Sequence, residues 1–299
     1  MYRKTSFILP ILFCISFVLN GCGTDPATLI PTEVDSYTEK TGITYLSIDG
    51  LDLQLDLAIP TDGEGPFPTI VFIFGGGWTI GSRNQYHDHI RWAAERGYVG
   101  VTIDYRLNQI KDGKPTDNIF PAQVHDTKCA IQWLRSNAEE YQINKDRIGA
   151  LGWSAGGNLA MMLALTDPSD GLEGSCGDLN YSSNVQAAVG LAAPIDFNAP
   201  YGGNPIEYLG GTREEIPEVY LEASPISYVS ENDPPILSIM GELDVSVPPV
   251  QGELLDARMM EEGLDHELIV LEGKDHAYLG RGGAELFERV FEFFDMYLK

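Results

Sequence analysis

The residues with the clearest chemical potential lie in Gly152-Trp153-Ser154-Ala155-Gly156. A serine hydroxyl is a poor nucleophile unless a base takes its proton and an acid holds that base. The G-x-S-x-G pattern alone is a weak signal, so its context decides. Arg147 to Leu151 reads as a strand, and a helix-forming run starts at Ala155. A strand-to-helix turn with glycines two before and two after the serine lifts the hydroxyl above a sheet, at a helix N-terminus. Of the five histidines, His276 follows the last predicted strand, in a loop able to return over the sheet to Ser154. Asp244, in the loop after the preceding strand, completes the order Ser, Asp, His. Glu242 is its nearest competitor, with Asp196 and Asp275 behind. His87 and His89 form an H-x-H pair without a third ligand cluster, so no metal site is expected. His125 and His266 read as structural.

Attack on a carbonyl puts charge on its oxygen, which needs preorganised donors. The run Phe74-Gly75-Gly76-Gly77-Trp78 follows a strongly apolar stretch, and three glycines let backbone N–H groups turn inward unobstructed. The amides of Gly76, Gly77 and Ala155 are the expected donors. Trp78 and Trp153 are candidate substrate-binding residues. Trp78, Tyr201, Tyr208 and Tyr220 either stack on a sugar or aromatic acid or simply pack.

These residues must be positioned by a framework, and the pattern predicts one. Residues 43–48 and 51–59 read as an antiparallel pair, because Leu51, Leu53, Leu55 and Leu57 alternate with polar residues. Later runs are continuously apolar, as strands covered on both faces must be: 69–74, 98–103, 147–151, 185–192, 236–240 and 266–271. Helix-length segments fall at 84–96, 121–140, 155–165, 249–262 and 284–298. The alternation predicts an α/β fold with a mostly parallel eight-stranded sheet and helices on both faces. The stretch 196–233, rich in Pro, Gly and Tyr, is read as a lid-like or substrate-binding insertion, or else a surface excursion.

The chain has 299 residues, 43% of them hydrophobic, enough for a sizeable core. Its 19 Lys+Arg against 44 Asp+Glu give a net charge of −25, which excludes a nucleic-acid partner. Residues 1–21 have the layout of a secretory signal: Arg3 and Lys4, then an apolar stretch too short for a spanning helix. Residues 22–36 read as a tether and 37–299 as the catalytic domain. Cys129 and Cys176 form a disulfide or remain buried thiols, an exported compartment permitting the bridge.

Leu19-Asn20-Gly21-Cys22 resembles the bacterial lipobox, which implies cleavage before Cys22, lipidation of its thiol and an exported, membrane-anchored protein facing the periplasm or cell surface. From residue 43 onward, Gly75 to Trp78, Asp104-Tyr105-Arg106, Gly152 to Gly157, Asp244 and His276 make the chain resemble the α/β-hydrolase superfamily. Within it, the chain is similar to microbial esterases whose oxyanion loop reads His-Gly-Gly-Gly-Trp, related to hormone-sensitive-lipase-like and feruloyl or acetylxylan esterase-like enzymes. The resemblance implies a cofactor-free serine carboxylic-ester hydrolase acting on a small-molecule or carbohydrate ester. Phe74 departs from the pattern, standing where the group commonly has a histidine that braces the loop. A serine exopeptidase with the same triad and a non-catalytic binding lipoprotein are the alternatives.

Overall fold

The computed structural model describes residues 36–177 and 179–299. The expected signal segment, Cys22 and nearly all of the tether lie outside the described residues.

An eight-stranded sheet carries the molecule. In chain order its strands are β1 (Tyr37–Ile48), β2 (Leu51–Pro60), β3 (Phe67–Ile73) and β4 (Val99–Ile103). A small separate hairpin follows, β5 (Gln109–Lys111) and β6 (Lys114–Asp117), and then β7 (Ile143–Trp153), β8 (Ala187–Leu191), β9 (Ile236–Gly241) and β10 (His266–Leu271). The sheet order is β1-β2-β4-β3-β7-β8-β9-β10. β1 and β2 run antiparallel, as do β2 and β4, and every later pair is parallel. The helices are α1 (His87–Glu95), α2 (Ala122–Ser136), α3 (Ala155–Leu165), α4 (Pro205–Leu209), α5 (Pro217–Glu222), α6 (Val250–Glu262), α7 (His276–Arg281) and α8 (Ala284–Leu298).

The parallel strands are apolar throughout because both faces are covered. Gly149 and Gly152 of β7 sit an odd number of residues apart, so they face opposite sides. A Cβ on Gly149 would stand 2.6 Å from Phe294 of α8, and one on Gly152 would stand 2.1 Å from the Gly156 carbonyl oxygen of α3. α1 shares the α8 side, where His89 and Trp92 pack on Phe287. This is the α/β-hydrolase fold, and the eight expected strands are its eight strands.

Some details differ from expectation. β1 starts at residue 37 and β7 at residue 143, because sheet pairing recruits polar residues that carry no alternating pattern. The predicted helix 84–96 opens instead as a 3-10 turn, Arg83–Tyr86, whose Arg83 is drawn onto the buried Asp56. The β5–β6 hairpin is exposed and too short to show periodicity. The stretch 196–233 is not a bare loop, since it holds α4 and α5.

Candidate active site

Ser154 occupies the one-residue step between β7 and α3, with φ 56° and ψ −119°. A non-glycine residue there carries strain of about 1–3 kcal/mol, sustained only when the surroundings dictate it. Here they do. The Ser154 N–H donates to the Leu191 carbonyl at 2.8 Å, and its own carbonyl accepts from Asn158 N at 3.0 Å. A Cβ on Gly156 would stand 2.1 Å from the Ile73 carbonyl oxygen, so the flanking glycines permit strand and helix to close on each other.

His276 and Asp244 reach this point from the ends of β10 and β9. The His276 Nε2 lies 3.0 Å from Ser154 Oγ, and its Nδ1 lies 2.7 Å from Asp244 Oδ2. A carboxylate only accepts, so Nδ1 carries the hydrogen and Nε2 is free to take the serine proton. Asp244 is buried, and its other oxygen accepts from Ser246 N at 2.9 Å and Val247 N at 2.8 Å. His276 is not in a plain loop as expected: it is the first residue of α7, whose N-cap Asp275 accepts from Tyr278 N at 2.8 Å. The competing acids are occupied elsewhere. Glu242 accepts from Gly273 N, and Asp196 from Asn198 N two residues on.

The glycine loop lies beside the elbow. Gly76 and Gly77 both have positive φ, and a Cβ on Gly76 would collide with the Ile80 carbonyl oxygen at 2.1 Å. The Gly76 carbonyl accepts from Thr79 N at 3.2 Å and Ile80 N at 3.1 Å, which turns the loop on itself. Ala155, the first residue of α3, has an N–H with no intrahelical acceptor. The arrangement can therefore present amides to an oxygen held at Ser154. Phe74 is buried and stacks on Tyr105 with ring centroids 4.2 Å apart, so its ring is packing material.

Trp78 corrects an expectation. It is 1% exposed and stacks on Tyr208 at 3.8 Å and 4°, so its ring is consumed by the core and offers no face to a ligand. Tyr208 and Tyr220 are buried as well, and Tyr201 packs edge-on against Phe197 at 5.5 Å. Trp153 is wedged against Gly75 and Gly280, where a Cβ would stand 2.5 Å from its ring, and it lies 5.0 Å from the His276 ring. It supports the imidazole from the side.

His87, His89 and His266 serve packing and pairing. His87 Nε2 lies 2.7 Å from Asp56 Oδ2. His89 points elsewhere, into Phe72, Tyr86, Trp92 and Phe287, and this burial lowers its pKa to about 4. His266 is buried between Asp256 and Ser238, and burial holds its pKa below the ordinary value. Cys129 of α2 and Cys176 are bonded, next to the fully buried Lys128 and its partner Glu173 at 2.8 Å. Sequence reasoning passed over Lys128, Gln251 and Gly202. Only the triple Asp104-Tyr105-Arg106 carried a signal for Tyr105, whose hydroxyl bonds the glycine loop.

Known proteins resemble this chain in sequence and in fold. LipC, an esterase of Mycobacterium tuberculosis, is 31% identical over 205 residues, which cover 65% of this chain and 48% of LipC. The chain thus spans about half of that relative. A truncated carbohydrate esterase from gut microbiota superposes with a TM-score of 0.76 at 27% identity, covering 88% of this chain and 97% of that one. Esterase 2 of Thermogutta terrifontis, phosphoramylated by tabun, gives 0.70 at 29% identity, covering 89% and 95%. The BD-FAE family description matches residues 55–259, well over half of the chain, from β2 through the elbow and Asp244 into α6. On that match and on its α/β-hydrolase fold, this chain belongs to the BD-FAE family.

Proposed function

We propose that the protein is a serine carboxylic-ester hydrolase. Ser154 Oγ attacks the ester carbonyl while His276 Nε2 accepts its proton. The tetrahedral oxyanion is held by the amides of Gly76, Gly77 and Ala155. Collapse expels the alcohol, which takes the proton from His276 and leaves an acyl-Ser154. Water, deprotonated by His276, then releases the acid and restores the serine. Asp244 holds the Nδ1 hydrogen and stabilises the imidazolium. The observation that carries this reading is the unbroken Asp244–His276–Ser154 contact, 2.7 and 3.0 Å, ending on a strained serine at a helix N-terminus.

The substrate class we infer is short-chain or carbohydrate-linked esters, supported by the esterase relatives and by the carbohydrate esterase among the solved structures. The test is hydrolysis of p-nitrophenyl acetate by the protein beside Ser154→Ala. The expected loss in kcat is on the order of 10⁵ or more, the remainder coming from the oxyanion donors. Equal rates defeat the reading. A fluorophosphonate probe should label the wild type at Ser154 and leave the variant unlabelled.

We also propose that Cys22 is lipidated and the domain exported, which the lipobox-like sequence and the Cys129–Cys176 bond support. Cys22→Ser should move the protein from the membrane fraction to the soluble one.

A further inference from the structure

We infer that the segment 195–202, which overlaps the start of the stretch read from sequence as a lid-like or substrate-binding insertion or else a surface excursion, positions the triad acid through Gly202, with Gln251 of α6 as its anchor. The inference rests on the triad reading above and extends it outward.

A continuous chain of contacts joins this segment to the nucleophile. The Gly202 N–H donates to the Ser246 carbonyl at 2.9 Å. The Ser246 N–H donates at 2.9 Å to Oδ1 of Asp244, whose Oδ2 holds His276. The contact at Gly202 is also steric: a Cβ there would stand 2.0 Å from the Val245 carbonyl oxygen and 3.2 Å from the Ser246 Cα. Both neighbours are backbone atoms of the acid loop, which no rotamer change can move aside. Gly202 is therefore a glycine for close approach.

The other end of the segment is fixed by one side chain. Gln251 is fully buried, and its Oε1 accepts from Ile195 N at 2.7 Å and Asp196 N at 2.8 Å. Its Nε2 donates to Asp196 O at 2.9 Å and Pro200 O at 3.0 Å. All four bonds fall on the segment that leads into Gly202. A buried amide with both of its groups satisfied makes a stiff joint. The acid loop is thus pressed from outside by backbone that is itself held, and the amides of Ser246 and Val247 stay aimed at Asp244.

The test is Gly202→Ala assayed beside wild type and Ser154→Ala, with p-nitrophenyl acetate as probe. Displacing the acid loop should lower kcat by roughly tenfold to a hundredfold while KM stays within about twofold. A loosened Asp244–His276 contact also withdraws the carboxylate's support from the imidazolium, so the acid limb of kcat/KM against pH should differ from that of wild type. In proton NMR the low-field Nδ1–H resonance of His276 should shift or broaden. If Gly202→Ala does not fold, Gln251→Glu is read by the same three measures; it keeps the acceptor for Ile195 and Asp196 and loses both donors. Wild-type kcat, pH limb and Nδ1–H resonance in the folded variant, with Ser154→Ala inactive, overturn the positioning role alone. Undiminished activity in Ser154→Ala overturns the functional reading and this inference with it.

Discussion

The Tyr105 hydroxyl donates to the Phe74 carbonyl at 2.9 Å while the two rings lie stacked at 4.2 Å and 12°. Both residues are buried, so one tyrosine secures the entrance to the glycine loop by its ring and by its oxygen. The loop is thereby held at its backbone, whatever side chain precedes the glycines. Tyr105→Phe keeps the stack and leaves a buried carbonyl short of a partner. It should lower stability by about 1–2 kcal/mol and reduce kcat more than it changes KM. Thermal unfolding and p-nitrophenyl acetate kinetics check both halves.

Phe74→His puts a polar ring into the same stack. Because the main chain and Tyr105 hold the loop, this variant should remain active, well above the Ser154→Ala background. Complete loss, in a protein with wild-type unfolding behaviour, means that the loop depends on the apolar ring itself.

His89 predicts a pH dependence of stability. Its folded pKa is about 4, lowered chiefly by burial, against 6.5 in the unfolded chain. As pH falls below about 6.5 the unfolded chain takes up the proton first, so stability is intact above that value and lost progressively toward pH 4. The loss from this group is at most about 3 kcal/mol. Asp233, held by burial at about 6, acts in the opposite sense, since it opposes folding as pH rises from about 4 to 6. Melting temperature against pH for wild type and His89→Phe isolates the histidine: the variant should lose less stability between pH 6.5 and 4.

Lys128 has no exposure, and its ammonium is met by Glu173 at 2.8 Å, the Thr166 carbonyl at 3.2 Å and Ser183 Oγ at 3.1 Å. Glu173→Ala leaves that charge without its counter-ion and should cost about 3–5 kcal/mol. The double variant Lys128→Met, Glu173→Leu removes both charges and should recover most of the loss. Urea unfolding of the three proteins decides; a double variant no more stable than Glu173→Ala refutes the account.

Much of the framework was legible along the chain. Continuous apolar runs marked the doubly covered strands, and the glycines around Ser154 marked an abrupt strand-to-helix turn. These are local signals, because burial on both faces and a tight turn each restrict residue type within a few positions. The α/β fold followed from them, whereas the resemblance to α/β-hydrolases came from the motifs Gly75 to Trp78, Asp104-Tyr105-Arg106, Gly152 to Gly157, Asp244 and His276.

What the chain alone determined, then, was which segments form the sheet and which residue types could do chemistry at its edge. The tertiary structure decided their partners. Trp78, a candidate for substrate binding that could also simply pack, became core, because α4 carries Tyr208 against it. Gln251 carried no signal along the chain and became a buried joint, because a segment some fifty residues earlier in the chain brings four backbone groups to it. Asp244 was one of several acids in its neighbourhood, and its approach to His276 comes from two strand ends laid side by side. Periodicity reports which face of an element is buried; it carries no information about which distant backbone atom will meet it, and hydrogen bonds and close contacts are made at that range.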